Sequence, residues 1–372
     1  MTMNRRDFVR SVGLGTVGAV ATGSVPAEAA APKAPAKKVR MRLGAQRSPI
    51  TRDWDGYGSL AQYLARHGVE GVCLFPKVSR DRRWDIDEIK RMREICEAQG
   101  MKLEVLGGAL SSGTIYGAFP NILLGKHPDR DRDIDLFCDM LRVAAEAGVP
   151  CVKYNMSILK VLRTKRTPGR GGATYSTWTL AKAPKNPPLT VAGDVDADTF
   201  WERITYFLQK VVPVAEDLKV RLACHPHDPG VPPGYQGVDR VLGTVEGLKR
   251  FADIVDSPYH GFNLCIGSTA EMLYNPAEEI DDVVRYFGKR NKIFNIHFRN
   301  IRGGRDDFQE VFHDEGDMNM PRLMRTLKEV DYPYLVMADH VPRHEHDPHA
   351  LQGFAYSFGY IKGLIQAVDS EG

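Results

Sequence analysis

His225, Cys265, His297 and Asp339 each close a short apolar run: Val220 to His225 (VRLACH), Gly261 to Cys265 (GFNLC), Lys292 to His297 (KIFNIH) and Tyr334 to Asp339 (YLVMAD). Two imidazoles, a thiol and a carboxylate are the side chains that hold a divalent cation. Each also has an ordinary role, as a core histidine with its hydrogen bonds met, a buried apolar cysteine or a helix-capping aspartate. Their spacing points to a metal centre. They recur at intervals of 40, 32 and 42 residues, the length of one strand and its crossover helix. Consecutive parallel strands put their C-terminal ends on one rim, so four side chains at equivalent strand ends converge there.

The elements that must position them follow from apolar periodicity. Each run has the length and content of a buried strand, and a helical pattern separates it from the next. The first half carries four more strand candidates, 39–45, 70–75, 102–106 and 151–155. Helices are predicted around Ser59 to Arg66 and after Asp85, where Asp85 and Glu88 have capping-box spacing ahead of Ile89, Met92, Ile95 and Cys96. Ile134, Phe137, Cys138 and Leu141 mark another helix, and Trp201, Ile204, Phe207, Leu208 and Val211 the core face of a further helix that Pro213 should kink or restart. Eight strands alternating with helices predict an α/β fold, a (β/α)8 TIM barrel.

Two segments break this rhythm, 107–130 after the third strand and 156–194 after the fourth. The second holds Arg163, Lys165, Arg166 and Arg170 among glycines and prolines. Long loops after barrel strands lie on the rim, so it reads either as a lid or anionic-substrate clamp, or as a solvated basic loop. His344, His346 and His349 read as an exposed loop.

The 372 residues, 43% hydrophobic and 26% charged, suit one large soluble barrel domain. A net charge of +3 is too small to suggest a nucleic-acid partner. Asn4-Arg5-Arg6-Asp7-Phe8, the weakly apolar Val12 to Val25 and Ala27-Glu28-Ala29 have the grammar of a twin-arginine signal peptide. Residues 1–29 are therefore expected to be the signal, 30–38 a linker and 39–372 a single barrel catalytic domain. The implied partner is the twin-arginine export machinery, the destination periplasmic or otherwise exported, and the mature chain has no transmembrane anchor. The six cysteines lack the pattern of a disulfide framework. A homo-oligomer is left open.

Several motifs together resemble the mannonate dehydratase family of metal-dependent sugar-acid lyases, xylose-isomerase-like barrels. They are Lys153-Tyr154-Asn155-Met156, Val212-Pro213-Val214-Ala215-Glu216, Cys224-His225-Pro226-His227-Asp228-Pro229, Leu264-Cys265-Ile266-Gly267-Ser268, Ile296-His297-Phe298-Arg299, His313 with Gly316-Asp317, Ala338-Asp339-His340 and Tyr356-Ser357. The resemblance implies dehydration of D-mannonate to 2-keto-3-deoxy-D-gluconate at a centre held by His225, Cys265, His297 and Asp339. It tips the metal to Mn2+ or Mg2+, with Zn2+ left open by the thiolate. His340 and Tyr356 are the candidates for proton transfer, His340 equally as an orienter of Asp339. Arg299, Tyr154, Asn155 and His313 are implied substrate-binding residues. Arg299 would grip a carboxylate with its bidentate fork or form a rim ion pair. The chain departs from the family pattern at Pro76-Lys77-Val78, Val105-Leu106-Gly107 and Lys160. The same barrel serves sugar isomerases and epimerases, the alternative reading, and a non-catalytic sugar-binding barrel is a third.

Overall fold

The computed structural model describes residues 38–47, 50, 53–54 and 58–371. The proposed signal and linker residues 1–37 lie outside the described residues. Eight parallel strands close into a barrel: β1 (Arg42–Gln46), β2 (Gly71–Leu74), β3 (Lys102–Leu106), β4 (Cys151–Asn155), β5 (Arg221–His225), β6 (His260–Cys265), β7 (Ile293–His297) and β8 (Leu335–Ala338). Neighbours in sequence are neighbours in space, and β1 closes the ring by pairing with β8 from Arg42 opposite Leu335 to Ala45 opposite Ala338. These are the eight strands expected from the apolar runs.

Alternation along a strand sorts its residues into two environments. Cys73, Val105, Cys151, Ala223, Leu335 and Met337 pack together in one apolar cluster, while Val152, Tyr154 and Leu222 belong to the larger core shared with the helices. On β4, Cys151 and Lys153 therefore share the inward parity and Tyr154 the outward one. The helix Ala197–Asp217 shows how that outer layer is built. Phe200, Ile204, Phe207, Leu208, Val211 and Ala215 are fully buried along one helical stripe, and each large side chain contributes roughly 1.5–3 kcal/mol by leaving water.

Local signals hold in part. Ser59 and Gln62 form a reciprocal capping box at the helix Leu60–Arg66. At the helix Ile86–Glu97, Asp85 caps alone, through the Asp87 amide, and Glu88 instead accepts the Lys77 amide at 3.2 Å. Pro213 does not interrupt its helix, which continues unbroken to Asp217 on the strength of the buried Val211, Val212 and Ala215. All six cysteines are buried and free. Among the described residues no helix is long and apolar enough to cross a membrane.

Neither insertion is an unstructured loop. Segment 107–130 contains the helix Pro120–Leu124, which buries Ile122 and Leu123. Segment 156–194 contributes Thr167–Pro168 and Thr174–Thr179 to a four-stranded antiparallel sheet, completed by the hairpin Ile301–Gly304 and Asp307–Glu310 that follows β7. Trp178 faces Phe308 across this sheet, and both are buried. Two rim segments far apart in sequence thus form one body.

Candidate metal centre

His225, Cys265 and His297 end β5, β6 and β7, and their donor atoms lie within 4.8 Å of one another. Register brings Cys265 directly opposite His297. Asp339, one residue past β8, places Oδ2 3.6 Å from His297 Nδ1 and 4.0 Å from Cys265 Sγ. Its Oδ1 is buried without a hydrogen-bond partner, a costly state for a carboxylate oxygen unless a cation or donor completes it.

Hydrogen bonds select the tautomers a cation needs. His225 Nδ1 donates to the Pro226 carbonyl at 2.7 Å, which leaves Nε2 with its lone pair. His297 Nε2 donates to Gln46 Oε1 at 3.1 Å, which leaves Nδ1 facing Asp339. Burial, reinforced by Lys153, pushes His225 down to about 4 and His297 well below its usual value, so both rings are neutral. Burial holds the Cys265 thiol up at about 12, opposed by Arg299, so binding a cation must displace its proton. Two neutral imidazoles, a thiol and an under-coordinated carboxylate oxygen fit a divalent cation. The four sequence-predicted ligands are thus brought together.

His340 stands beside them. Its Nε2 lies 3.1 Å from Asp339 Oδ2 and its Nδ1 2.9 Å from Glu310 Oε2, while nearly half of the side chain is exposed. Burial disfavours its charged form, but Asp339 and Glu310 outweigh that and raise its pKa to about 10.

Arg299 is ion-paired, the second of its two expected roles, but in a buried cage. Only 2% exposed, it is enclosed by acids: Nη1 is 3.0 Å from Glu271 and 2.6 Å from Glu310, and Nη2 is 3.5 Å from Asp228 and 3.1 Å from Ser268 Oγ. Arg163, from the basic insertion, enters the same cage, with Nη1 2.5 Å from Asp228 and Nη2 paired with Glu310. It is therefore not a solvated cation but an ion-paired one. Asp228, Glu271 and Glu310 also bring oxygens within 4.8 Å of one another, but the two guanidiniums occupy their charge. Burial and the neighbouring Asp228 hold the Glu271 carboxyl well above the usual carboxylate range.

Three other candidate residues are engaged in contacts within the protein. Tyr154 points outward and packs between Phe137 and Phe207, because its parity on β4 is opposite to that of Lys153. His313 is buried, with Nε2 2.6 Å from the Phe298 carbonyl and Nδ1 3.4 Å from Ser357 Oγ, and ties the segment after β7 to the last helix. Tyr356 sits on the helix Leu351–Ser370 and meets Asp314, Arg170, Phe312 and Tyr360, none of which belongs to the metal cluster. Asn155 does reach the rim, opposite His225 in register, with its amide donating to the Leu110 carbonyl. His344 donates to the Gly171 carbonyl in the loop after β8.

Residues to which the sequence assigned no role complete the site: Gln46, Lys153, Asp228, Glu271 and Glu310, with Lys153 and Asp228 noted only as parts of longer motifs. The signal for Lys153 was a lysine at an inward position of an otherwise apolar strand. Asp228 and Glu271 lie in loops and Glu310 ends a hairpin strand, with no common spacing.

The family model described as D-mannonate dehydratase (UxuA) matches residues 179–371. The mannonate dehydratase of Thermotoga petrophila is 30% identical over 352 residues, covering 84% of this chain and 94% of its own. The crystal structure of mannonate dehydratase from Streptococcus suis serotype 2 superposes with a TM-score of 0.76 at 25% identity, covering 89% of this chain and 94% of that one. A xylose isomerase domain protein of Planctomyces limnophilus, with a TM-score of 0.57 at 14% identity, shares the fold. With the model covering the strand ends that carry Cys265, His297 and Asp339, and similarity running through most of both chains, this chain belongs to the mannonate dehydratase family.

Proposed function

We propose that the protein dehydrates a sugar acid, D-mannonate, to 2-keto-3-deoxy-D-gluconate and water. The observation that carries this reading is the convergence of His225, Cys265, His297 and the unpartnered Asp339 Oδ1 at the C-terminal strand ends of a chain from this family. These four residues would hold the divalent cation, Mn2+ in our reading. When bound, it supplies Lewis-acid stabilisation of the negative charge that develops as the C2 proton leaves.

The rest falls to the chain's own side chains. The C2–H bond breaks with its electrons left on carbon, the C3–O bond breaks, and the departing hydroxyl takes up a proton to leave as water. The resulting enol becomes the 2-keto product. His340 is the proton carrier within reach: Glu310 fixes Nδ1, while Nε2 is shared with Asp339 on the half-exposed side of the cluster. The Arg299 and Arg163 cage holds Glu310 and Asp339 in place without touching substrate.

The test is turnover of the metal-loaded protein against D-mannonate, other aldonates and keto-sugars, following the 2-keto product. Metal-dependent formation of 2-keto-3-deoxy-D-gluconate is expected. A loaded, folded protein that dehydrates no aldonate would overturn the reading.

The reading extends to export of the folded chain by the twin-arginine machinery, with 1–29 removed, 30–38 a linker and 39–372 the catalytic barrel. Asn4 to Phe8 and the small-residue site at Ala27 to Ala29 support it. Fractionation of an Arg5→Lys/Arg6→Lys variant should show retention inside the cell, and unchanged export would remove this element.

A further inference from the structure

With Arg299 committed to Glu271, Glu310 and Asp228, a side-chain cation for the substrate's carboxylate has to come from elsewhere in the site. The open side of the cluster shows where to look. Cys265 and His297 are buried, whereas Gln46, Phe75, Asn155 and His225, at or just beyond the ends of β1, β2, β4 and β5, are partly exposed. These four residues, with the partly exposed Asp339 and the exposed His340 beside them, line the approach to the centre.

Lys153 lies beneath them. It is inward on β4, two residues before Asn155, and only 7% exposed. Its Nζ donates to Gln46 Oε1 and sits 5.5 Å from the centre of the Phe75 ring. Among the described residues it has no ion-pair partner, and burial lowers its pKa, opposed by Cys73, Asp339 and Cys265. A buried ammonium whose direct partner is a neutral amide is poorly compensated, and an incoming anion would complete it.

Gln46 makes the placement specific. The same Oε1 accepts from Lys153 Nζ and from His297 Nε2. A chain of contacts runs from Lys153 through Gln46 to His297, across 3.6 Å to Asp339, and on to His340. The ammonium stands at one end and the proton carrier at the other, with two of the four ligand side chains between them.

We propose that Lys153, positioned by Gln46, is the residue that receives the substrate's carboxylate and so makes this site selective for sugar acids over neutral sugars. The proposal rests on the sugar-acid reading of the site. A carboxylate on Lys153 sets the C1 end of an aldonate on the Gln46 side and its C2 and C3 over the cluster toward His340. It also explains how a family member can bury its rim arginine in an ion cage and still bind an acid.

The test measures equilibrium binding of D-mannonate and of its neutral counterpart D-mannitol to the metal-loaded protein by calorimetry, alongside turnover, in wild type, Lys153→Met, Lys153→Gln and Lys153→Arg. The wild type should prefer the acid. Methionine and glutamine should each abolish that preference and raise KM by roughly 10- to 100-fold, the scale of a lost charge-assisted hydrogen bond. Metal content and thermal midpoint should stay near wild type, and arginine should restore part of the preference. The glutamine variant keeps the test open if methionine disturbs folding. A preference for the acid that survives in both neutral variants, or no preference in the wild type, overturns the proposal. A lysine-dependent preference without dehydration would overturn the lyase reading and leave the role of Lys153 standing.

Discussion

The guanidinium of Arg299 and the carboxyl of Glu271 lie 3.0 Å apart with both side chains at most 3% exposed, so a residue two positions beyond a metal ligand spends its charge inside the protein. Arg299→Met should therefore act on stability before it acts on substrate binding. Removing one partner of a buried ionic group costs about 3–5 kcal/mol, and denaturant unfolding should show a loss of that order. A variant as stable as wild type with only KM raised would return Arg299 to the substrate.

Glu271 gives this cage a pH signature. Its folded pKa is raised above the unfolded value, so the folded state keeps a proton that the unfolded chain gives up near pH 4.5. Stability from this group is full below that pH and declines as pH rises toward the folded value. Glu310 has the opposite sign. Burial raises it, but Arg299, His340 and Arg163 prevail and lower it to about 2, so its contribution is present above pH 4.5 and lost as pH falls toward 2. Glu271→Gln should flatten the decline on the alkaline side and leave the acid limb intact. Unfolding free energies measured from pH 3 to 9 decide this; an unchanged alkaline slope would mean that Glu271 is ionised in the folded protein.

Gly267 is the neighbour that makes room for the cage. A Cβ there would come 2.5 Å from Arg299 Nε and 2.7 Å from its Cζ, and a guanidinium held by three acids cannot swing aside cheaply. Gly267→Ala should lower the thermal midpoint by several degrees and weaken metal retention through the adjoining Cys265. A midpoint and metal content equal to wild type would show that the cage is softer than its geometry indicates.

Cys265→Ala removes one of four donors together with the Sγ that accepts from the Ser268 amide at the start of the short helix Ile266–Ala270. Metal content after gel filtration should fall well below one ion per chain, with the circular dichroism spectrum unchanged. Full retention of the ion would take the thiol out of the ligand set.

The barrel and the four cluster residues were legible because each rests on a short-range pattern: an apolar run of strand length, a polar residue at its end, and a crossover-sized interval before the next. The electrostatics were not legible. Arg299 and Arg163 read as rim cations because their loops are polar, and only the tertiary fold reveals that Asp228, Glu271 and Glu310 converge on them. Tyr154 shows a different limit. A strand buried on both faces has no polar alternation to reveal which residues face inward, so a tyrosine beside an inward lysine reads equally well as substrate contact or core. Pro213 shows a third, where helix packing overrides a local breaker.

The rim sheet sets an order of assembly. Thr179 pairs with Asp307, 128 residues away, and Arg163 reaches Glu310 across 147. Until the hairpin after β7 is synthesised, the segment after β4 has no strand to dock on, and Arg163 lacks one of the acids that neutralise it. On the ribosome, the four N-terminal strands can gather before this roof exists. The roof can form only after β5, β6 and β7 have delivered His225, Cys265 and His297. In chain order that hairpin also precedes β8, so every strand of the rim sheet has been made before the fourth ligand, Asp339.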